Sequence, residues 1–196
     1  MTLSETAVAL TLGCFGVGSM IAAVALPALL ERVTERRLMV AGAMLMAVAL
    51  LALAGWVTAF DLTWVSLLIA WALAGIGYSA ALTPSGRLLR RSAHPGDRPA
   101  LFAAQFSLSH VCWLMTYPLA GWLMTAAGPV PALLVLGVIS VAAIGIGLVI
   151  WPAEDIEALE HHHDNLPLDH PHLQGERTHT HPCVIDEHHA RWTARL

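Results

Sequence analysis

Residues 6–151 of this chain break into five apolar stretches, at 6–30, 38–60, 62–86, 100–127 and 132–151, and none of them contains Asp, Glu, Lys or Arg. A helix needs about 20 such residues to cross the hydrocarbon core of a bilayer. A soluble domain of 196 residues could not hide five segments of this length. The core holds no water to satisfy backbone groups, so a spanning element is either a helix or part of a closed barrel. Barrel strands alternate apolar and polar residues, and these stretches do not. The sequence therefore predicts an all-α fold, a polytopic membrane bundle of five transmembrane helices. Residues 152–196 follow as a polar tail, predicted to be largely disordered. Charged residues make up 12% of the chain, against roughly 25% in soluble domains.

The basic residues set the expected topology. All 10 are Arg. Arg32, Arg36 and Arg37 fall in the connection at 31–37, and Arg87, Arg90, Arg91 and Arg98 in that at 87–99. The turn near Asp61 and the turn Gly128-Pro129-Val130-Pro131 carry none. Short Arg-rich loops stay in the cytoplasm. This predicts a multi-pass protein of the inner cell membrane, with its N-terminus outside and its tail in the cytoplasm. The first stretch lacks a positive n-region and is too long for a cleavable signal. So short an external N-terminus suggests that further sequence precedes it. The alternative is a first helix that inserts by itself, held by the Arg-rich loop behind it.

Several functions are excluded by what the chain lacks. There is no basic stripe for nucleic acid. No nucleophile–base pair, phosphate loop or zinc-protease motif suggests an enzyme. Cys14 and Cys112 lie inside apolar stretches and Cys183 lies in the tail, which is no disulfide framework.

The fourth stretch is the most polar, with Gln105, Ser107, Ser109, His110, Cys112, Thr116 and Tyr117. At 1.5 Å per residue, His110 lies roughly 15 Å into a core about 30 Å thick. Ionisable residues at that depth face protein or a water-filled cavity. Phe106, His110, Trp113 and Tyr117 follow helical spacing and share a face. They are candidates to line a substrate cavity, with Gln105 and, from the third stretch, Tyr78. The alternative is a neutral His bonded within the protein, with the aromatics as packing.

The loop Glu31-Arg32-Val33-Thr34-Glu35-Arg36-Arg37 places an acid and an Arg at a helix end and an Arg pair before the next. Its pattern at Glu31, Arg32, Arg36 and Arg37 resembles the loop between the eighth and ninth helices of major facilitator superfamily transporters. Pro27 and Thr34 stand where that family has glycines, Glu31 where it has Asp, and Glu35 where a basic residue is common. The segment Tyr117-Pro118-Leu119-Ala120-Gly121-Trp122-Leu123 is similar to the family's eleventh helix. The resemblance implies that the five spans correspond to helices eight to twelve. It also implies half of a major-facilitator-type fold, a truncated C-terminal portion with its N-terminal half missing, and a small solute or ion moved by alternating access.

The tail carries His161, His162, His163, His170, His172, His179, His181, His188 and His189, with Cys183 among them. Imidazole and thiolate suit Ni, Zn, Co or Cu. In extended chain, His at i and i+2 point the same way, which predicts two-ligand capture by His170/His172 and by His179/His181. The wording of the tail resembles His-rich tails on some transporters of that superfamily, including nickel-resistance exporters, which implies a divalent metal as one possible cargo. The rival reading is a small membrane-anchored metal-binding or interaction protein that transports nothing.

Overall fold

A computed structural model describes residues 4–151, 158–162, 167, 169–173, 176–182, 184–185 and 189. Six helices follow in order: α1 (Glu5–Leu30), α2 (Glu35–Ala59), α3 (Trp64–Leu82), α4 (Ser85–Arg91), α5 (Arg98–Ala126) and α6 (Pro129–Ile150). Each long helix begins where the local chemistry favours a start. The Ser4 hydroxyl accepts the Ala7 amide at 3.3 Å and caps α1. Thr34 does the same for α2 through the Arg37 amide at 3.4 Å. Thr63 and Ser66 exchange side chain for backbone at 3.1 and 3.2 Å, a reciprocal cap on α3. Pro99 opens α5 and Pro129 opens α6, where a missing amide costs nothing. Gly128 turns the chain between those two helices at φ 90°, a conformation that a side chain would strain.

Several boundaries differ from the sequence reading, among them the start of α2 at Glu35 and the bounds of α3 at Trp64 and Leu82. The 87–99 connection is not all loop, since α4 occupies its first residues after the break at Pro84. The Gly-Pro-Val-Pro turn is shorter than expected, because Pro129 and Pro131 already belong to α6.

Four helical segments are long and apolar enough to cross a membrane: α1, α2, α3 continued through α4, and α6. The fifth expected span, α5, has the length but is more polar than these. Its path is nonetheless fixed by its neighbours. The Trp151 carbonyl accepts Arg36 Nε at 3.1 Å, which anchors the end of α6 at the arginine-bearing face. Gly128 therefore lies at the far face, and α5 runs the full distance from Arg98 to reach it.

Packing follows an open chain of contacts. α3 lies between α1 and α2, α2 meets α6, and α6 meets α5. The tight joints are made by small residues. A Cβ on Gly18 would collide with the Ala72 backbone, and one on Gly75 with Phe15. A Cβ on Gly42 would stand 2.6 Å from the Gly77 carbonyl. Gly13, Gly16, Gly145 and Gly147 face open space instead. The outer faces are apolar: Val24 is 77% exposed, Leu114 74% and Val149 86%. Such surface suits lipid and would aggregate in water.

In the tail, β1 (Ala158–His162) pairs antiparallel with β2 (Thr178–Pro182), His161 opposite His179. The sequence predicts a largely disordered tail, and this strand pair departs from that. Thr alternates with His through Thr178-His179-Thr180-His181, and β-branched residues favour strands. His163, Cys183 and His188 lie outside the described residues.

The close α1–α3 joint makes a direct prediction. Gly18→Val should destabilise the bundle by about 1–3 kcal/mol through overpacking. Gly16→Ala, which meets open space, should be neutral or stabilise by up to about 1 kcal/mol through helix propensity. Unfolding of the purified protein in micelles, followed by circular dichroism, would separate the two.

Candidate functional site

At the arginine-bearing face the first residue of α2 is buried. Glu35 is 2% exposed, and its carboxylate meets Arg87 Nε at 3.2 Å and Arg91 Nη2 at 3.5 Å. The two guanidinium groups differ in setting: Arg91 is 10% exposed and Arg87 57%. The local sequence places these charges well. An acid in the first turn of α2 meets the positive end of that helix, and Arg90 and Arg91 sit in the last turn of α4. Arg36, next to Glu35, reaches the end of α6 through the Trp151 carbonyl. One short stretch, Glu35-Arg36, therefore ties the start of α2 to α4 and to the end of α6.

This differs from the loop pattern read in the sequence. Glu31, Arg32 and Arg37 are exposed. The acid that makes the ion pairs is Glu35, and its partners come from the second Arg-rich segment. The acid in the first turn of α2 was a visible signal, but its partners lie more than fifty residues away in sequence.

The second candidate lies on α5. Phe106 and His110 stack with ring centroids 3.9 Å apart, His110 and Trp113 follow at 4.9 Å, and Trp113 and Tyr117 at 6.1 Å. All four side chains are exposed, Phe106 at 62% and Tyr117 at 67%. Gln105 is half-buried on the same helix. Tyr78 is not part of this ladder. It packs on Phe15 of α1, with centroids 5.5 Å apart.

The polar side chains of α5 bond their own backbone. Ser107 donates to Ala103, Ser109 to Gln105 and Thr116 to Cys112, each at 2.9 Å. His110 Nδ1 lies 2.8 Å from the Phe106 carbonyl. A carbonyl can only accept, so Nδ1 carries the proton. In the neutral ring, Nε2 then remains an acceptor for a donor, a proton or a cation.

An apolar cavity of about 330 Å³ opens near the far face, lined by Leu50, Leu53, Leu67, Trp71, Met124 and Leu133. It offers no polar group to orient a hydrophilic solute.

In the tail, His170 and His172 lie in a turn rather than in extended chain, with ring centroids 6.5 Å apart. His162 Nδ1 pairs with Thr178 Oγ1 at 2.8 Å across the two strands. Among the described residues, no three His, Cys, Asp or Glu side chains are grouped so as to hold a metal ion.

Comparison with known proteins adds one finding. The family model described as Major Facilitator Superfamily matches residues 1–170. No curated protein and no solved structure matches the chain.

The charge cluster predicts unequal losses. Glu35→Ala should cost about 3–5 kcal/mol, the usual loss when one partner of a buried ion pair is removed. Arg91→Ala should destabilise more than Arg87→Ala, because the exposed Arg87 pair is screened by solvent. A double-mutant cycle on thermal unfolding in micelles would check the order.

Proposed function

This chain belongs to the major facilitator superfamily, and on that premise we propose that it works as part of a secondary transporter with the α5 face lining the solute path. Alternating access would move a small solute or ion past that face. The observation that carries this reading is the ladder Phe106, His110, Trp113 and Tyr117: the opposite face of α5 is as exposed, with Leu108 at 68% and Met115 at 71%, but the ladder face is the one that carries imidazole and phenol. Lipid is a poor neighbour for imidazole and phenol. Ionisable residues within a span face protein or water and mark pathways. Helices outside these six would form the opposite wall.

The proposed orientation puts the arginine-bearing face in the cytoplasm of the inner membrane. It is supported by the placement of Arg32, Arg36, Arg37, Arg87, Arg90, Arg91 and Arg98 in connections at one face. The Glu35 cluster then lies on the cytoplasmic side. There it ties α2 to α4 and stabilises one arrangement of that face.

Single-cysteine labelling tests the α5 assignment without knowledge of the substrate. In a variant with Cys14, Cys112 and Cys183 replaced by Ser, a membrane-impermeant thiol reagent should modify Cys at positions 106, 110, 113 and 117. It should react far more slowly with Cys at 108 and 115 on the other side of the helix. Equal reactivity at both sets in native membranes would count against a water-lined α5 face.

A further inference from the structure

His172 and His189 bring their imidazole rings to 4.9 Å between centroids, with the planes tilted by 57°. Two imidazoles on one tetrahedral ion, at metal–nitrogen distances of about 2.0–2.1 Å, hold their ring centres roughly 5 Å apart. We propose that His172 and His189 form a two-imidazole site for a divalent transition-metal ion, and that an ion there pins the tail to the arginine-bearing face of the bundle.

The neighbouring His170 has a different role. Its Nδ1 accepts the His172 amide at 3.2 Å. In the neutral ring the proton then sits on Nε2, which leaves no lone pair for a metal. His170 is a positioning residue that holds the His172 backbone. Among the described residues, no third His, Cys, Asp or Glu is grouped with this pair.

The His172 half of the site is held by backbone, and the His189 half has its nearest described anchor at Ile185. On one side, successive turns connect the His170 amide to Pro167 at 2.9 Å, Leu173 to His170 at 3.0 Å and Glu176 to Leu173 at 2.9 Å. Leu173 is fully buried. On the other side, the Ile185 amide donates to the Arg91 carbonyl at 2.9 Å. His189 follows four residues after that anchor. An ion shared by His172 and His189 would close a bridge between the turn and the last residue of α4. Arg91 also pairs with Glu35, so the bridge ends on the cluster that holds α2. Imidazole suits Zn, Ni, Co and Cu.

The test uses the full chain in detergent micelles and Zn²⁺ as the probe. Equilibrium dialysis would compare the wild type, the double variant His172→Ser/His189→Ser, and His162→Ser as a control in the strand ladder. The tightest zinc affinity should fall by about tenfold or more in the double variant, since even outer-shell changes cost that much. It should be unchanged in His162→Ser. Hydrogen exchange adds a readout of the bridge: zinc should slow exchange of the Ile185 amide in the wild type and not in the double variant. Unchanged tight binding in the double variant would place the ion on other residues and overturn the site. Zinc binding that leaves Ile185 exchange unaltered would overturn the pinning.

Discussion

A hydrocarbon solvent offers no hydrogen bonds, and almost every feature of this chain answers that constraint. Backbone groups are closed within long helices, and the hydroxyls of Ser107, Ser109, Thr116 and Ser140 turn back onto carbonyls of their own helix. Lipid tails are as apolar as Leu, so burial of apolar side chains drives little association here. Close approach takes its place. Gly18, Gly42, Gly75 and Gly77 let helix backbones touch, and most of the other buried helical residues are small, with Ala the commonest beside Leu26, Leu38, Leu53 and Leu123. Large side chains such as Val24 and Val149 point outward, the reverse of a water-soluble bundle.

The same constraint decides the Glu35 cluster. Removing a carboxylate from water costs several kcal/mol in effective terms. Glu35 bears that cost at 2% exposure. Two guanidinium groups and a helix N-terminus offset it, with Arg91 as the partner that is itself nearly buried. A buried pair of this kind need add little net stability over a well-packed apolar residue. An apolar residue at position 35 could pack as well, but it would not select Arg87 and Arg91 as neighbours. The charge thereby links the first residue of α2 to α4.

The spans were legible because length and apolarity are local properties. The start of α1 agrees with the 6–30 stretch to a residue, and α2 begins earlier than 38 because capping by Thr34 admits Glu35, Arg36 and Arg37 to the helix. The short α4 was hidden by its three arginines, which read as loop, although Pro84 ahead of it was a start signal. The face shared by Phe106, His110, Trp113 and Tyr117 could be read from spacing alone. Tyr78 could not be assigned that way, since its neighbour depends on which helices meet. The Glu35 pairs and the His172–His189 pair share this character: each joins residues whose proximity is set by the path of the chain. The i, i+2 rule also failed at His170 and His172, because Pro171 between them lies in a turn and not a strand.

α5 is the least packed of the long helices. It meets α6 along part of its length and α4 near its start, and Leu123 is its one buried residue among those described. Pro118 lies inside it, so the Leu114 carbonyl loses its usual helical donor. Segments with few packed contacts open most readily. The polar and aromatic residues that would serve a solute path are also poor partners for tight small-residue packing. On the proposed reading, one set of side chains thus gives α5 both its chemistry and its looseness. The firmly joined α1, α3 and α2 then act as the frame against which α5 moves.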